Sequence, residues 1–156
     1  METAFINSPL GITKIEGDEN GIAVISVLSE GEISIKIPAV LQEAVSQLND
    51  YFEGKRTNFD FALNPKGTDF QQKVWKGLLE IPFGKTCSYM DLSKKLGDVK
   101  AIRAVASANG KNPLWIVVPC HRVIGTDGSL TGYAGGLWRK KWLLEHENRT
   151  TQQSLF

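Results

Sequence analysis

Apolar and polar residues alternate along Leu10-Gly11-Ile12-Thr13-Lys14-Ile15-Glu16. After a turn at Gly17-Asp18-Glu19-Asn20-Gly21 a β-branched run follows, Ile22-Ala23-Val24-Ile25-Ser26-Val27. A third alternating segment is Ile33-Ser34-Ile35-Lys36-Ile37. Period two and β-branched richness predict a small antiparallel meander within residues 1–37. From Pro38 the period changes. Val40, Leu41, Ala44, Val45, Leu48, Tyr51 and Phe52 recur at three- and four-residue steps, which predicts an amphipathic helix over 39–53, stopped by Gly54.

Asn64-Pro65-Lys66-Gly67 is a turn cluster and the natural boundary between a first domain, 1–64, and a second, 65–156. Beyond it the pattern is helical. Thr68 and Gln71 have capping-box spacing and open a helix running to Glu80; Ile81-Pro82-Phe83-Gly84 breaks it. Ser88 and Asp91 repeat the signature and open a helix to Leu96. Gly97-Asp98 turns the chain, and a third helix covers about 100–109, ended by Gly110. Two short helices joined by a glycine turn fit a helix-turn-helix, or equally a plain helical hairpin. A last helix is expected over 137–147, and 148–156 reads as a frayed tail.

Composition bounds the possibilities. A chain of 156 residues, 42% hydrophobic, can bury a real core, and no apolar run approaches the ~20 residues of a membrane helix. No secretory leader is seen at the amino terminus, so a cytoplasmic location is expected, or the nucleus in a eukaryote. Cys87 and Cys120 are too few for a disulfide framework and are expected as thiols. The net charge of +1 hides an asymmetry. Residues 1–68 carry 5 basic and 10 acidic side chains, net −5; residues 69–156 carry 13 and 7, net +6. A basic half, with Lys94, Lys95, Lys100, Arg103 and Lys111 around the two short helices, favours a polyanion partner.

One pentapeptide carries candidate chemistry: Pro119-Cys120-His121-Arg122-Val123, after the apolar run Leu114-Trp115-Ile116-Val117-Val118. A thiolate is a strong soft nucleophile, and a neighbouring His or Arg lowers a thiol's pKa. Those five residues fit a reactive thiol and a structural cysteine at a strand end about equally. Their surroundings are an ordered series: Ser88-Tyr89, Arg103-Ala104-Val105, Gly110-Lys111-Asn112-Pro113, Tyr133-Ala134-Gly135-Gly136 and Trp142-Leu143-Leu144-Glu145-His146-Glu147. That series resembles the O6-alkylguanine-DNA alkyltransferases, the methylated-DNA–protein-cysteine methyltransferases. The resemblance runs from about Thr68 to Glu147; residues 1–64 resemble the family's amino-terminal domain only weakly.

The resemblance implies roles. Cys120 is the alkyl acceptor. His121 takes the thiol proton through a water, and Glu147 orients and charges the imidazole, with Glu145 a decoy beside it. Tyr89 donates toward N3 of the departing purine, and Asn112 ties the helix-turn-helix to the cysteine loop. Arg103 fills the gap left by a flipped base, with the helix in the minor groove. Ala104, Ser107 and Ala108 are small, which suits close approach to DNA and equally close helix packing, and Lys111 and Arg122 are expected to add DNA contacts. Val123, Tyr133, Ala134 and Gly135 form the substrate pocket, with the Cys120 and Val123 carbonyls reading the exocyclic amine. Ala134 stands where many relatives carry serine, so a backbone donor survives and a hydroxyl does not. Some relatives bind zinc through amino-terminal Cys and His; this chain has neither before Cys87, so no metal and no cofactor are expected. Cys87 receives no role.

The expected fold is α+β: a small amino-terminal antiparallel sheet with a helix, packed on a mainly helical carboxy-terminal domain that holds the helix-turn-helix and the cysteine. The expected function is single-turnover DNA repair. The protein flips O6-alkylguanine from duplex DNA and transfers the alkyl group irreversibly to Cys120, acting as a monomer on double-stranded DNA and away from membranes. A thioether gives water no easy leaving group, so one molecule is consumed per lesion. Three other readings stand beside it: a non-enzymatic lesion binder of the same fold, which would lack the cysteine; a helix-turn-helix regulator with a structural Cys120; and a cysteine hydrolase, for which no known signature is present.

Overall fold

Strand β1 (Glu2–Ser8), β2 (Gly11–Asp18) and β3 (Gly21–Leu28) form an antiparallel sheet in the order 1-2-3. The register runs from Glu2↔Gly17 to Ser8↔Gly11 on one side and from Ile12↔Leu28 to Asp18↔Gly21 on the other. Ala4, Ile6, Thr13, Ile15, Ala23 and Ile25 supply its buried face. The computed structural model describes residues 1–130, 133 and 135–154, with the backbone alone described at 151–154.

The expected meander forms, shifted toward the amino terminus. Strand β1 escapes the period-two reading because its inward residues, Ala4 and Ile6, alternate with an apolar outward residue, Phe5. The expected strand at 33–37 does not form. Ile33 and Ile35 find no apolar surface to cover, and Ile35 is 106% exposed. One residue of that segment, Ser34, meets the outer edge of β1, its N–H donating to the Phe5 carbonyl at 2.8 Å and its Oγ accepting from the Phe5 N–H. The free edge of β3 is covered by two short parallel rungs. The Ile22 N–H donates to the Ala62 carbonyl at 2.9 Å, and the Ile25 N–H to the Pro113 carbonyl at 2.8 Å. Covered edges protect a sheet from pairing with other chains.

Helix α1 (Gln42–Phe52), preceded by a 3₁₀ turn at Ala39–Leu41, buries Ala44, Leu48 and Tyr51. Gly54 ends it at φ +77, with the Gly54 N–H on the Tyr51 carbonyl and the Lys55 N–H on that of Asp50. This is the doubled bond pattern of a left-handed glycine cap.

The remaining elements are α2 (Asp69–Leu78), β4 (Cys87–Ser88), α3 (Tyr89–Lys95), α4 (Ile102–Gly110), β5 (Val123–Ile124) and α5 (Leu137–Ser154). Both predicted capping boxes are present, Thr68 with Gln71 on α2 and Ser88 with Asp91 on α3. Gly97, at φ +93, ends α3, and Asp98 caps the 3₁₀ turn Val99–Ala101 that leads into α4. The helix-turn-helix thus rests on local rules readable from the sequence. Helix α5 is longer than expected: 148–154 continue it. No glycine or proline follows Gly136, and the Thr150 hydroxyl donates to the His146 carbonyl at 2.8 Å.

By compactness the chain forms two units. The first is Met1–Lys66 with Pro113–Trp115; the second is Gly67–Asn112 with Ile116–Phe156. Pro113–Trp115, placed by the sequence reading in the second domain, joins the first unit as a rung on β3.

Candidate active site

Every side chain of the site belongs to the second unit. Val118 and Cys120 are joined by a tight turn, the Cys120 N–H donating to the Val118 carbonyl at 2.8 Å. Pro119 lies at φ −81, ψ 64, the geometry of an inverse γ-turn, and its ring fixes that φ in advance. A single 3₁₀ turn follows, Cys120–Arg122. Ile116, just upstream, has φ +74, a left-handed conformation that a β-branched residue adopts only under strain, about 1–3 kcal/mol. Strand β5 then pairs in parallel with β4, Cys87 against Val123 and Ser88 against Ile124. That pairing brings the start of α3, where Tyr89 stands half-buried, to the end of the cysteine turn.

Cys120 is 7% exposed. Burial pushes its thiol above the ordinary value, opposed by the Asn112 and Tyr133 side chains and by the charge of Lys140. In the resting site desolvation wins, so the thiol stays protonated and a base is needed. Asn112 donates from Nδ2 to the Val118 carbonyl at 2.7 Å, so one side chain after α4 holds the start of the Pro119 turn.

His121 and Glu147 are fully buried together, His121 Nε2 donating to Glu147 Oε2 at 2.7 Å. Burial lowers the histidine pKa, against the pull of Glu147, so the neutral ring is favoured. Burial would raise the Glu147 carboxyl, but His121 and Arg122 outweigh it and hold it well below the usual carboxylate range. A carboxylate can only accept, so the neutral ring carries its hydrogen on Nε2. Nδ1 is left as a lone-pair base, and it has no hydrogen-bond partner among the described residues. Glu145, by contrast, is exposed, 4.0 Å from Lys141.

Arg122, expected on DNA, is instead 7% exposed. Its Nε and Nη2 donate to Glu147 Oε1 and Oε2 at 2.8 and 3.0 Å, and its Nη1 to the Ile81 carbonyl at 2.7 Å. The fork geometry of guanidinium matches one carboxylate, and burial removes it from any phosphate. Its place is beside the His121–Glu147 pair.

Of the other expected DNA residues, Arg103, Ala104 and Ser107 share one exposed face of α4, and Lys111, also exposed, is its C-cap. Steps of one and four residues from Arg103 place the first three on one side of the helix. Val105 and Ala108 face inward, and the Ala108 carbonyl accepts from Trp75 Nε1 at 2.9 Å. In the loop before α5, the Gly136 N–H donates to the Tyr133 carbonyl at 2.9 Å, and Arg139 donates to the Gly135 carbonyl at 2.8 Å. A Cβ on Gly135 would come within 3.2 Å of the Tyr133 ring. Ala134 lies outside the described residues.

Two side chains of the site were missed by sequence reasoning. Asn109, buried on α4, points Nδ2 at the Cys120 carbonyl at 3.5 Å. Lys140 is 0% exposed and donates to the Val123 carbonyl at 2.7 Å. In sequence Lys140 sits inside Arg139-Lys140-Lys141, which reads as a solvated cationic run. The clue available was its spacing, seven residues before Glu147 and so on the same helix face.

Known proteins are similar to this chain in sequence and in fold. The family model described as the 6-O-methylguanine DNA methyltransferase DNA-binding domain matches residues 69–149, and that of the family's ribonuclease-like domain matches 1–65. A methylated-DNA–protein-cysteine methyltransferase of Methanosarcina barkeri is 47% identical over 149 residues, covering 91% of this chain and 94% of that protein. One of Mycobacterium tuberculosis is 46% identical over 147 residues, covering 91% and 89%. A crystal structure of the M. tuberculosis protein in complex with DNA superposes with a TM-score of 0.88 at 45% identity, covering 96% of this chain and 94% of that one. The chain belongs to the 6-O-methylguanine DNA methyltransferase family, and its fold is the α+β arrangement expected from the sequence.

Proposed function

We propose that this protein repairs alkylated DNA directly, with Cys120 taking the alkyl group from O6 of a guanine in duplex DNA. In the step, the sulfur–carbon bond forms as the carbon–O6 bond breaks. The thiol proton passes through a water to His121 Nδ1, and the purine anion is neutralised by Tyr89 at N3. Glu147 stabilises the imidazolium that forms, as a buried carboxylate does beside a catalytic histidine. The observation that carries the reading is the buried His121–Glu147 pair at 2.7 Å, one residue from a cysteine that burial keeps protonated. DNA as partner is supported by the family match over 69–149 and by the DNA complex of the M. tuberculosis relative.

The exposed face of α4 supports a DNA contact in which Arg103 takes the place of the flipped base. A base inside a stacked duplex cannot reach a buried sulfur, so extrusion is required. The pocket for that base is formed by Val123, Tyr133, Ala134 and Gly135. The first 64 residues serve as a structural domain, and 65–156 carry the chemistry. The thioether product is inert to water, so the protein acts once, as a monomer on its DNA.

Intact mass after incubation with a duplex holding one O6-methylguanine tests this. One added methyl group, mapped to the peptide containing Cys120 and limited to one per protein, is expected. Label on Cys87, or transfer that continues past one equivalent, overturns it.

A further inference from the structure

A fully buried lysine needs an explanation, because desolvating an ammonium is costly unless something meets its charge. Lys140 projects from the first turns of α5 onto the turn that carries the nucleophile. Its Nζ lies 2.7 Å from the carbonyl of Val123, three residues after Cys120, and 5.9 Å from the ring centroid of Tyr133. The Asn112 amide meets the same turn from the other side, its Nδ2 donating to the Val118 carbonyl at 2.7 Å. The turn that carries the sulfur is therefore held by a neutral amide before it and by a buried cation after it. His121 and Glu147 account for where the proton goes. They do not supply a positive charge to the thiolate at the start of the step, since burial keeps His121 neutral.

We infer that Lys140 is a positioning residue for the reaction, the fixed positive charge against which the Cys120 thiolate forms, with Val123 as its anchor. The inference rests on Cys120 being the alkyl acceptor and adds the group that makes its anion affordable inside the protein. An opposite charge within about 4–6 Å lowers an acid's pKa by roughly one to three units. The influence runs both ways. Burial lowers the Lys140 pKa, and the Cys120 charge raises it. Among the described residues, the ionisable groups around the turn besides Lys140 are His121 and Arg122 on it, Cys87 on β4, Tyr89 on α3, Glu147 on α5 and Tyr133 in the loop before α5. All remain in place when Lys140 alone is changed.

The test uses thiol alkylation by iodoacetamide, which needs no DNA and so does not depend on the repair reading. Rates at Cys120, followed by mass on its own peptide, are measured against pH in the wild type and in Lys140→Met, Lys140→Gln and Lys140→Arg. In the Met and Gln variants the inflection should rise by roughly one unit or more, a loss of about tenfold in rate per unit below it. The Arg variant should keep most of the wild-type profile. Gln retains a donor for the Val123 carbonyl without the charge. A Gln profile that matches wild type would make Lys140 a mere tether and overturn the inference. So would a Met profile that superposes on wild type.

Should the neutral variants fail to fold, the wild type supplies the same answer. Its Lys140 ammonium, followed by nitrogen-15 NMR, should titrate at lower pH once Cys120 is capped with methyl iodide, because the thiolate is gone. A Lys140 titration indifferent to the cap would refute the pairing. A normal coupling in a protein that removes no methyl group from DNA would instead fault the repair reading alone.

Discussion

Arg122 grips Glu147 with two nearly parallel bonds, Nε to Oε1 at 2.8 Å and Nη2 to Oε2 at 3.0 Å, while the adjacent His121 shares Oε2 at 2.7 Å. Consecutive residues thus meet one carboxylate in two ways, and they do different work. The arginine, whose charge is permanent, keeps Glu147 ionised; the histidine uses that ionised state. The third donor of Arg122 reaches the Ile81 carbonyl, so the same side chain secures the segment after α2.

Breaking that grip should be costly to stability. Removing one member of a buried ion pair leaves the other uncompensated, at roughly 3–5 kcal/mol. Arg122→Met is expected to lose stability on that scale in urea unfolding. Arg122→Lys should recover only part of it, since an ammonium cannot reproduce the planar fork. A loss under about 1 kcal/mol for Arg122→Met would mean Glu147 is held mainly by His121.

Stability should fall as the solution is acidified. Both His121 and Glu147 have pKa values lowered by folding, so the unfolded chain binds more protons than the native one as pH drops. For His121 this begins below about pH 6.5, and for Glu147 below about 4.3, the values of the unfolded groups. The stabilisation is complete above the first of these and is lost downward, by at most about 1.4 kcal/mol per unit and proton. Urea unfolding at stepped pH should show the gap between wild type and His121→Gln narrowing from pH 7 to pH 5. A constant gap would mean that folding leaves the His121 pKa unchanged, and a widening gap that native His121 is already charged at pH 7.

Alkyl transfer should respond to His121 and Glu147 as to one device. A positioned base contributes roughly 100- to 10,000-fold. His121→Ala should lose a rate factor in that range and Glu147→Gln less, and the double variant should be little worse than His121→Ala, because residues acting as a unit are not additive. Single-turnover rates with a methylated duplex measure all three. Fully multiplicative losses would separate the two residues.

Arg103 should matter to the duplex and little to the chemistry. Arg103→Ala is expected to slow repair of duplex DNA far more than reaction with free O6-benzylguanine. Its loss should also reduce the salt dependence of DNA binding by about 0.9 in the logarithmic slope if it neutralises one phosphate. Equal losses on both substrates would point to damage in the site itself.

The helical half was legible because its ends are set locally. Thr68, Ser88, Gly97 and Asp98 act through bonds spanning a few residues, and such bonds have sequence signatures. The sheet was less so. Whether 2–8 or 33–37 becomes a strand depends on which has a surface to cover, and alternation cannot report that. Cys120, His121 and Glu147 were legible as a family motif. Arg122 and Lys140 were misjudged or missed for one reason. A cation in a sequence reads as solvated, and only the tertiary structure shows the carboxylate or carbonyl that takes it inside. Helix α5 makes the point, since its inward positions include Lys140, His146 and Glu147. An apolar stripe is therefore not what fixes its orientation.

The route of the chain has a consequence for how such a protein can be divided or recombined. The backbone passes from one unit to the other three times, after Lys66, Asn112 and Trp115. The middle excursion is a three-residue rung, its Trp115 N–H donating to the Ile25 carbonyl at 3.0 Å. A cut at residue 66 does not yield two modules. The larger fragment keeps a rung with no strand to join, and the smaller keeps a strand edge covered at Ile22 by Ala62 but bare at Ile25. A hybrid assembled at that point inherits a condition: whatever replaces the first sixty-six residues must offer an open sheet edge where Ile25 stood. Heredity can shuffle the two halves only among sequences that agree on that edge.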